Sequence, residues 1–183
     1  VMNADPEAED PDGVRAYDFN RPHSISKRFG QNLQNIAEQY SRSATVNLTS
    51  LLRSNTVVDF QEVQLRSYEE YREALPRPTC LAAMTLRPLA GTSLLHMDLG
   101  LCFVVLKKLM GGRPDGEERL RAFTEIERGI FGHFSERLVD LLRQASTKLV
   151  DLHPEVTTLE NNPDYVSGVP HGETMVCLRF RIR

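Results

Sequence analysis

The sequence predicts an α/β domain of two intertwined, pseudo-symmetric halves, with long helices flanking a mixed, largely antiparallel sheet. Three observations predict it. Two long amphipathic stretches each begin at a capping residue. Each is followed by a β-branched run. The order long helix, strand, short polar segment, strand then occurs twice, offset by roughly 95 to 100 residues. Ser24 aligns with Thr124, Ser67 with Asn162, and Cys80-Leu81 with Cys177-Leu178. Two copies are too few to stack as a solenoid, so they are expected to close on each other as a pseudo-two-fold domain.

Residues 1–16 are rich in Pro, Asp and Glu and have almost no large apolar groups. Such a segment cannot offset its ordering entropy by burial and is expected to be a disordered acidic linker. Order is expected from Tyr17-Asp18-Phe19 onward, so the domain spans residues 17–183. Ser24 or Ser26 caps the first helix, whose apolar residues Ile25, Phe29, Leu33, Ile36, Tyr40, Ala44, Leu48 and Leu52 recur at three- and four-residue spacing. Thr56 to Leu65 reads as a strand, and Ser67 caps a short helix stopped by Pro76 and Pro78. Cys80 to Leu86 and Thr92 to Met97 read as a hairpin turning at Pro88 and Gly91. Asp98 caps a helix from Leu99 to Met110, which stops at Gly111-Gly112.

A polar loop leads to T-x-x-E, Thr124 to Glu127, a capping box ahead of the second long helix. Its core stripe is read as Ile126, Ile130, Phe134, Leu138, Leu141, Leu142 and Leu149, ending near Val150. A strand at Val156 to Glu160, a turn at Asn161-Asn162-Pro163 and a strand at Thr174 to Ile182 follow. In the first copy a further strand and helix come next; the second copy lacks them, leaving Thr174 to Ile182 with a free edge. A longer polypeptide is therefore expected to continue with a turn, a strand and a helix of roughly 25 to 35 residues, by analogy with the first copy.

Composition narrows the function. Of 183 residues, 40% are apolar, enough for a core, and the net charge is −3. Five of the negative charges fall in the first thirteen residues, leaving about +2 for the rest. No Lys/Arg cluster is dense enough to replace phosphate counterions, which argues against nucleic acid. No stretch approaches the roughly 20 apolar residues of a membrane span, so no membrane insertion is expected. Cys80, Cys102 and Cys177 sit in apolar runs and read as reduced core thiols of a cytosolic protein. With no CxxC or HxxxH and five scattered histidines, neither a metal nor another cofactor is expected. GxSxG, P-loop and dinucleotide fingerprints are absent.

Several segments resemble the middle domain of the FliM flagellar motor switch family. YDFNRPHSISK (17–27), LLRSNTVVDF (51–60), PTCLAAMTLRPLAGTSLLHMD (78–98), LKKLMGGRPDG (106–116) and FTEIE (123–127) match its motifs in order and spacing, covering residues 17–183. The resemblance implies a CheC-like fold and a binding module, not an enzyme. It would sit in the cytoplasmic C-ring, peripheral to the inner membrane at the flagellar basal body. Its implied partners are FliG, neighbouring FliM copies, phosphorylated CheY and, through the full-length protein, other C-ring components. It also implies that CheY binding is coupled to a change in the direction of rotation.

The family's FliG contact lies at a Gly-Gly-x-Gly loop, which maps onto Gly111, Gly112 and Arg113, with Pro114 where the pattern has glycine and Gly116 two residues later. Read from the residues alone, the same glycines are a helix C-cap. Arg113 suits bidentate pairing with a partner carboxylate. Gln34, Glu38 and Arg42 on the first long helix, and Arg128, Glu136, Arg137 and Arg143 on the second, are candidates for ring contacts or simply solvated faces. The alternative function is a CheC-type phosphatase of phosphorylated CheY. Its Ser/Asp, Glu and Asn positions align with Gly129, His133 and Glu136, which lack the required amide and carboxylate.

Overall fold

The computed structural model describes residues 26–113, 120–170 and 172–183. The linker at 1–16, the aromatic pair Tyr17 and Phe19, Ser24, Pro114 and Gly116 lie outside the described residues. The described residues open on α1 (Lys27–Leu52), capped by Ser26, whose hydroxyl accepts from Phe29 N. Its buried face, Ala37, Tyr40, Ser41, Ala44, Leu48 and Leu52, follows the 3.6-residue period. Thr45 and Thr49 stitch the end of α1 to the next strand: Thr45 Oγ1 accepts from Val58 N at 2.9 Å and Thr49 Oγ1 donates to Thr56 O at 3.0 Å.

β1 (Val58–Ser67) runs into α2 (Tyr68–Ala74), with the Ser67 hydroxyl accepting from Glu70 N. β2 (Cys80–Arg87) and β3 (Ser93–Met97) form the hairpin read from the sequence. α3 (Leu99–Leu109) begins at Asp98, whose carboxylate accepts from Leu101 N at 3.0 Å. α4 (Glu125–Ser146) starts at the Thr124/Glu127 capping box. β4 (His153–Glu160), a 3₁₀ turn (Pro163–Tyr165) capped by Asn162, and β5 (Thr174–Ile182) complete the chain.

All strand pairings among the described residues are antiparallel and fall into two sheets, β1-β5 and β3-β2-β4. This arrangement follows from the internal duplication. β1 and β4 are equivalent in the two copies, as are β2 and β5, so the pair β1-β5 becomes β4-β2 on exchanging the halves. Each half thus supplies its first strand to the other half's second strand. β1 pairs with one edge of β5 from Val58↔Ile182 to Ser67↔Thr174. The opposite edge of β5 corresponds to the β2 edge that β3 occupies, and no described strand pairs there.

The core lies where α1, α3 and α4 meet the sheets. Phe103, Phe123, Phe131 and Phe134 form a chain of ring contacts at 5.3–5.6 Å. Tyr40 and Phe60 both meet Phe180 of β5. The α4 stripe differs from its reading at both ends. Ile126 is 75% exposed and Phe131 fully buried, because the row facing inward at the start of α4 runs 123, 127, 131. Leu149 is exposed because α4 ends at Ser146, where the Ser146 and Thr147 hydroxyls both donate to Arg143 O and the backbone turns away.

In a longer polypeptide carrying this domain, the next strand is expected to lie on the open edge of β5 and to lead into a helix, as β3 leads into α3. A structure of such a chain in which that edge stays unpaired, or in which the continuation lacks a strand, would break the two-fold relation.

Candidate partner-binding site

α3 is apolar through Leu106 and ends in Lys107 and Lys108, cations that complement the helix C-terminus. Met110 is the C-cap, its N–H bonded to Leu106 O. Gly111 N donates to Lys108 O at 3.1 Å and Gly112 N to Lys107 O at 2.8 Å, the paired bonds of a Schellman motif. Gly111 takes φ +82, a left-handed conformation that side chains rarely adopt. Gly112 does not; a Cβ there would stand 3.3 Å from Lys107 O, so crowding by the helix it terminates is the reason for glycine. Of the two glycines, only Gly111 has a positive φ. Arg113 follows, exposed.

The far side of the loop is clamped. The Arg121 guanidinium sits 5.1 Å from the centre of the Phe103 ring and donates twice to Glu127, at 2.7 Å each. Glu127 also accepts from Thr124 N at 2.8 Å, closing the capping box. Phe123 N donates to Asn161 Oδ1 at 3.1 Å; Asn161 Nδ2 donates to Thr79 O at 2.8 Å, and Thr79 N to Asn161 O at 2.9 Å. One asparagine thus joins the start of α4, the end of β4 and the approach to β2. The capping box announced Glu127 in the sequence; nothing in the spacing marked Arg121 as its partner or Asn161 as the anchor of Phe123.

The helix-face candidates divide. Gln34, Glu38 and Arg42 form a ladder on α1, with Gln34–Glu38 at 3.0 Å and Glu38–Arg42 at 3.7 Å. Arg128 is half-buried instead of solvent-facing, because its guanidinium donates to Leu159 O at 2.5 Å and pins α4 to β4. Arg137 reaches Asn47 at 2.8 Å and ties α4 to α1, while Arg143 pairs with Asp140 on its own helix at 2.9 Å. Arg143 and Asp140 also line an open groove with Arg87, His153, Pro154 and Glu155, where both signs of charge are present.

The positions aligned with phosphatase residues stand on the exposed side of α4. Gly129 has no side chain, and His133 Nδ1 lies 3.1 Å from Glu136 Oε2, the two engaging each other in solvent. The described residues hold no group of three His, Cys, Asp or Glu placed to bind a metal, and none of their helices is long and apolar enough to cross a membrane.

The Arg121 guanidinium, aided by the Thr124 bonds and opposed by burial, holds the Glu127 carboxyl at about 2, below its ordinary 4.5. A lowered carboxylate pKa stabilises the fold above the unfolded value, and that contribution is lost as pH falls through the folded value. Replacing Glu127 with Gln is expected to cost about 1–3 kcal/mol near neutrality. Thermal unfolding of the two proteins should converge between about pH 4.5 and pH 2. A difference independent of pH would mean that the carboxylate charge contributes nothing.

Comparison with known proteins places this geometry. A curated flagellar motor switch protein FliM from Treponema pallidum is 31% identical over 170 residues, covering 93% of this chain and 49% of that protein. The chain thus spans about half the length of the curated relatives it matches. The FliM middle domain (51–229) from Vibrio alginolyticus superposes with a TM-score of 0.73 at 28% identity, over 82% of this chain and 85% of that one. A chain of the FliG–FliM complex from Helicobacter pylori superposes with a TM-score of 0.82 at 21% identity, over 87% of each, and shows the same fold. The family model for flagellar motor switch protein FliM matches residues 26–183, and the chain belongs to that family.

Proposed function

We propose that this chain is a binding and scaffolding module of the flagellar motor switch. The loop after α3, with Gly111, Gly112, Arg113, Pro114 and Gly116, holds FliG. The exposed faces of α1 and α4 meet neighbouring copies in the cytoplasmic C-ring at the basal body. Binding of phosphorylated CheY to the whole protein is passed through this domain to change the direction of rotation. The observation that carries the reading is a loop built for presentation. One side is a Schellman-capped helix terminus with Gly111, Gly112 and Arg113 exposed, and the other is clamped by Arg121 and Asn161.

A pull-down with the middle and C-terminal parts of FliG tests it. The unaltered chain is expected to retain FliG. Gly111→Val forces a β-branched residue into left-handed backbone, a cost of about 1–2 kcal/mol or more, and is expected to abolish retention while circular dichroism stays native. Full retention by Gly111→Val would reduce the loop to a helix cap. A phosphate-release assay on phosphorylated CheY discriminates the enzymatic alternative: release above background would replace the scaffold reading with catalysis.

Ring contacts are expected to be heterologous and of mixed charge, and weak enough that the isolated domain is monomeric at micromolar concentration. Cysteines at Gln34 or Arg42 on one copy and Glu136 or Arg143 on the next should cross-link in assembled motors. Their failure to do so would leave both faces solvated.

A further inference from the structure

Far from the loop after α3, the β1-β5 ribbon carries an unbalanced charge. Successive strand residues point to opposite faces, so Arg179, Arg181 and Arg183 share one face of β5, about 7 Å apart. Phe180 turns the other way, onto Tyr40 of α1. β1 answers these arginines incompletely. A bulge between Phe60 and Glu62 sets Glu62 opposite Arg179, while Asp59 stands opposite Arg181, so both carboxylates lie on the arginine face. Glu62 pairs with Arg179 at 3.2 Å, but Asp59 pairs with Arg183. Arg181 is exposed and makes no ion pair with any described residue. Arg66, opposite Met175 on the same face, donates to Gln64 at 3.0 Å. Four guanidiniums thus meet two carboxylates, and the excess repels itself.

We propose that the missing counter-charge is the acidic segment Asp5–Asp12 of the same chain, laid across this face as a salt-sensitive cover. Asp5, Glu7, Glu9, Asp10 and Asp12 form the densest run of negative charge in the sequence. The segment has almost no large apolar groups, which leaves charge as its means of attachment. Reach is sufficient. Residues 13–25 join it to Ser26 and span about 40 Å when extended. Along α1, Lys27 lies only about 20 Å from Tyr40, whose ring stands 5.0 Å from that of Phe180. A single exposed ion pair holds little. A tethered segment, however, meets its site at an effective concentration in the millimolar range. Its five carboxylates can exchange among the guanidiniums without settling into one conformation, which its composition could not sustain. While the segment lies there, the ribbon is closed to acidic partners; salt or a more acidic partner opens it.

Both sides of the contact can be altered in the whole chain without touching its core. Converting Asp5, Asp10 and Asp12 to Asn, and Glu7 and Glu9 to Gln, is expected to shift the guanidinium NMR resonances of Arg179 and Arg181. Salt at about 1 M, where charges are screened within about 3 Å, should reproduce that shift in the unaltered chain. From the other side, Arg181→Glu is expected to speed cleavage after Glu7 and Glu9 by a glutamate-specific protease about 3- to 10-fold, because the segment is released. Its melting temperature should not change, since Arg181 is exposed and unpaired. Arg113→Glu, at an exposed cation elsewhere, should leave cleavage within about twofold of the unaltered chain, as screened surface charges act only nearby. Arginine resonances unmoved by the neutralised segment overturn the proposal. So does equal acceleration by Arg113→Glu, which would reduce the attraction to the chain's overall charge. A shift that grows with protein concentration would assign the face to the segment of another copy and overturn the contact within one chain.

Discussion

The exchange of strands between halves is the constraint on which the rest depends. β1 has its partner in β5, and β4 has its partner in β2, so neither copy of the duplicated unit contains a complete sheet. An antiparallel strand left alone exposes a row of unpaired backbone groups, and a two-stranded ribbon has marginal stability without a covered face. The helices supply that cover only when both halves are present: Tyr40 of α1 packs on Phe180 of β5, and Phe131 and Phe134 of α4 join a core that includes Cys80 and Ala82 of β2. Asn161 and the Arg77–Asp164 ion pair fasten the same junction with polar contacts.

Local chemistry was legible in the sequence, and long-range chemistry much less so. Ser26, Ser67, Asp98, Thr124 and Asn162 were legible because capping is decided within three residues, and each accepts the backbone bond its position implies. The repeat gave the number of halves and the equivalence of their strands, but not that equivalent strands trade partners, since pairing is fixed by packing between segments far apart in the chain. Ile126 shows the limit of a periodic reading. A 3.6-residue stripe drifts along a helix, and at its first turn the inward position belongs to Glu127, whose charge is consumed by Arg121.

The candidate site divides in the same way. The double glycine stands out in the sequence as a helix stop, and the family motif marks it as an expected interface; the structure shows the helix stop, with both glycines exposed. Terminating α3 with glycines frees the helix tip of covering side chains, so ending the helix and presenting a surface are one act. Arg128 is the contrary case. Polar in sequence and in phase with an outer face, it is drawn inward by its hydrogen bond to the carbonyl of Leu159, which no reading of charge and spacing locates.

The exchanged topology also bears on biosynthesis. Val58, at the start of β1, pairs with Ile182, at the end of β5. At about 5–20 residues per second, a ribosome makes the first strand on the order of ten seconds before its partner emerges. During that interval the growing chain carries α1 with an uncovered apolar face and β1 with an unpaired edge. The N-terminal half cannot fold as a finished unit and wait for the second. That half-built state leaves apolar surface and a strand edge open, the features through which a chain aggregates before its folding is complete.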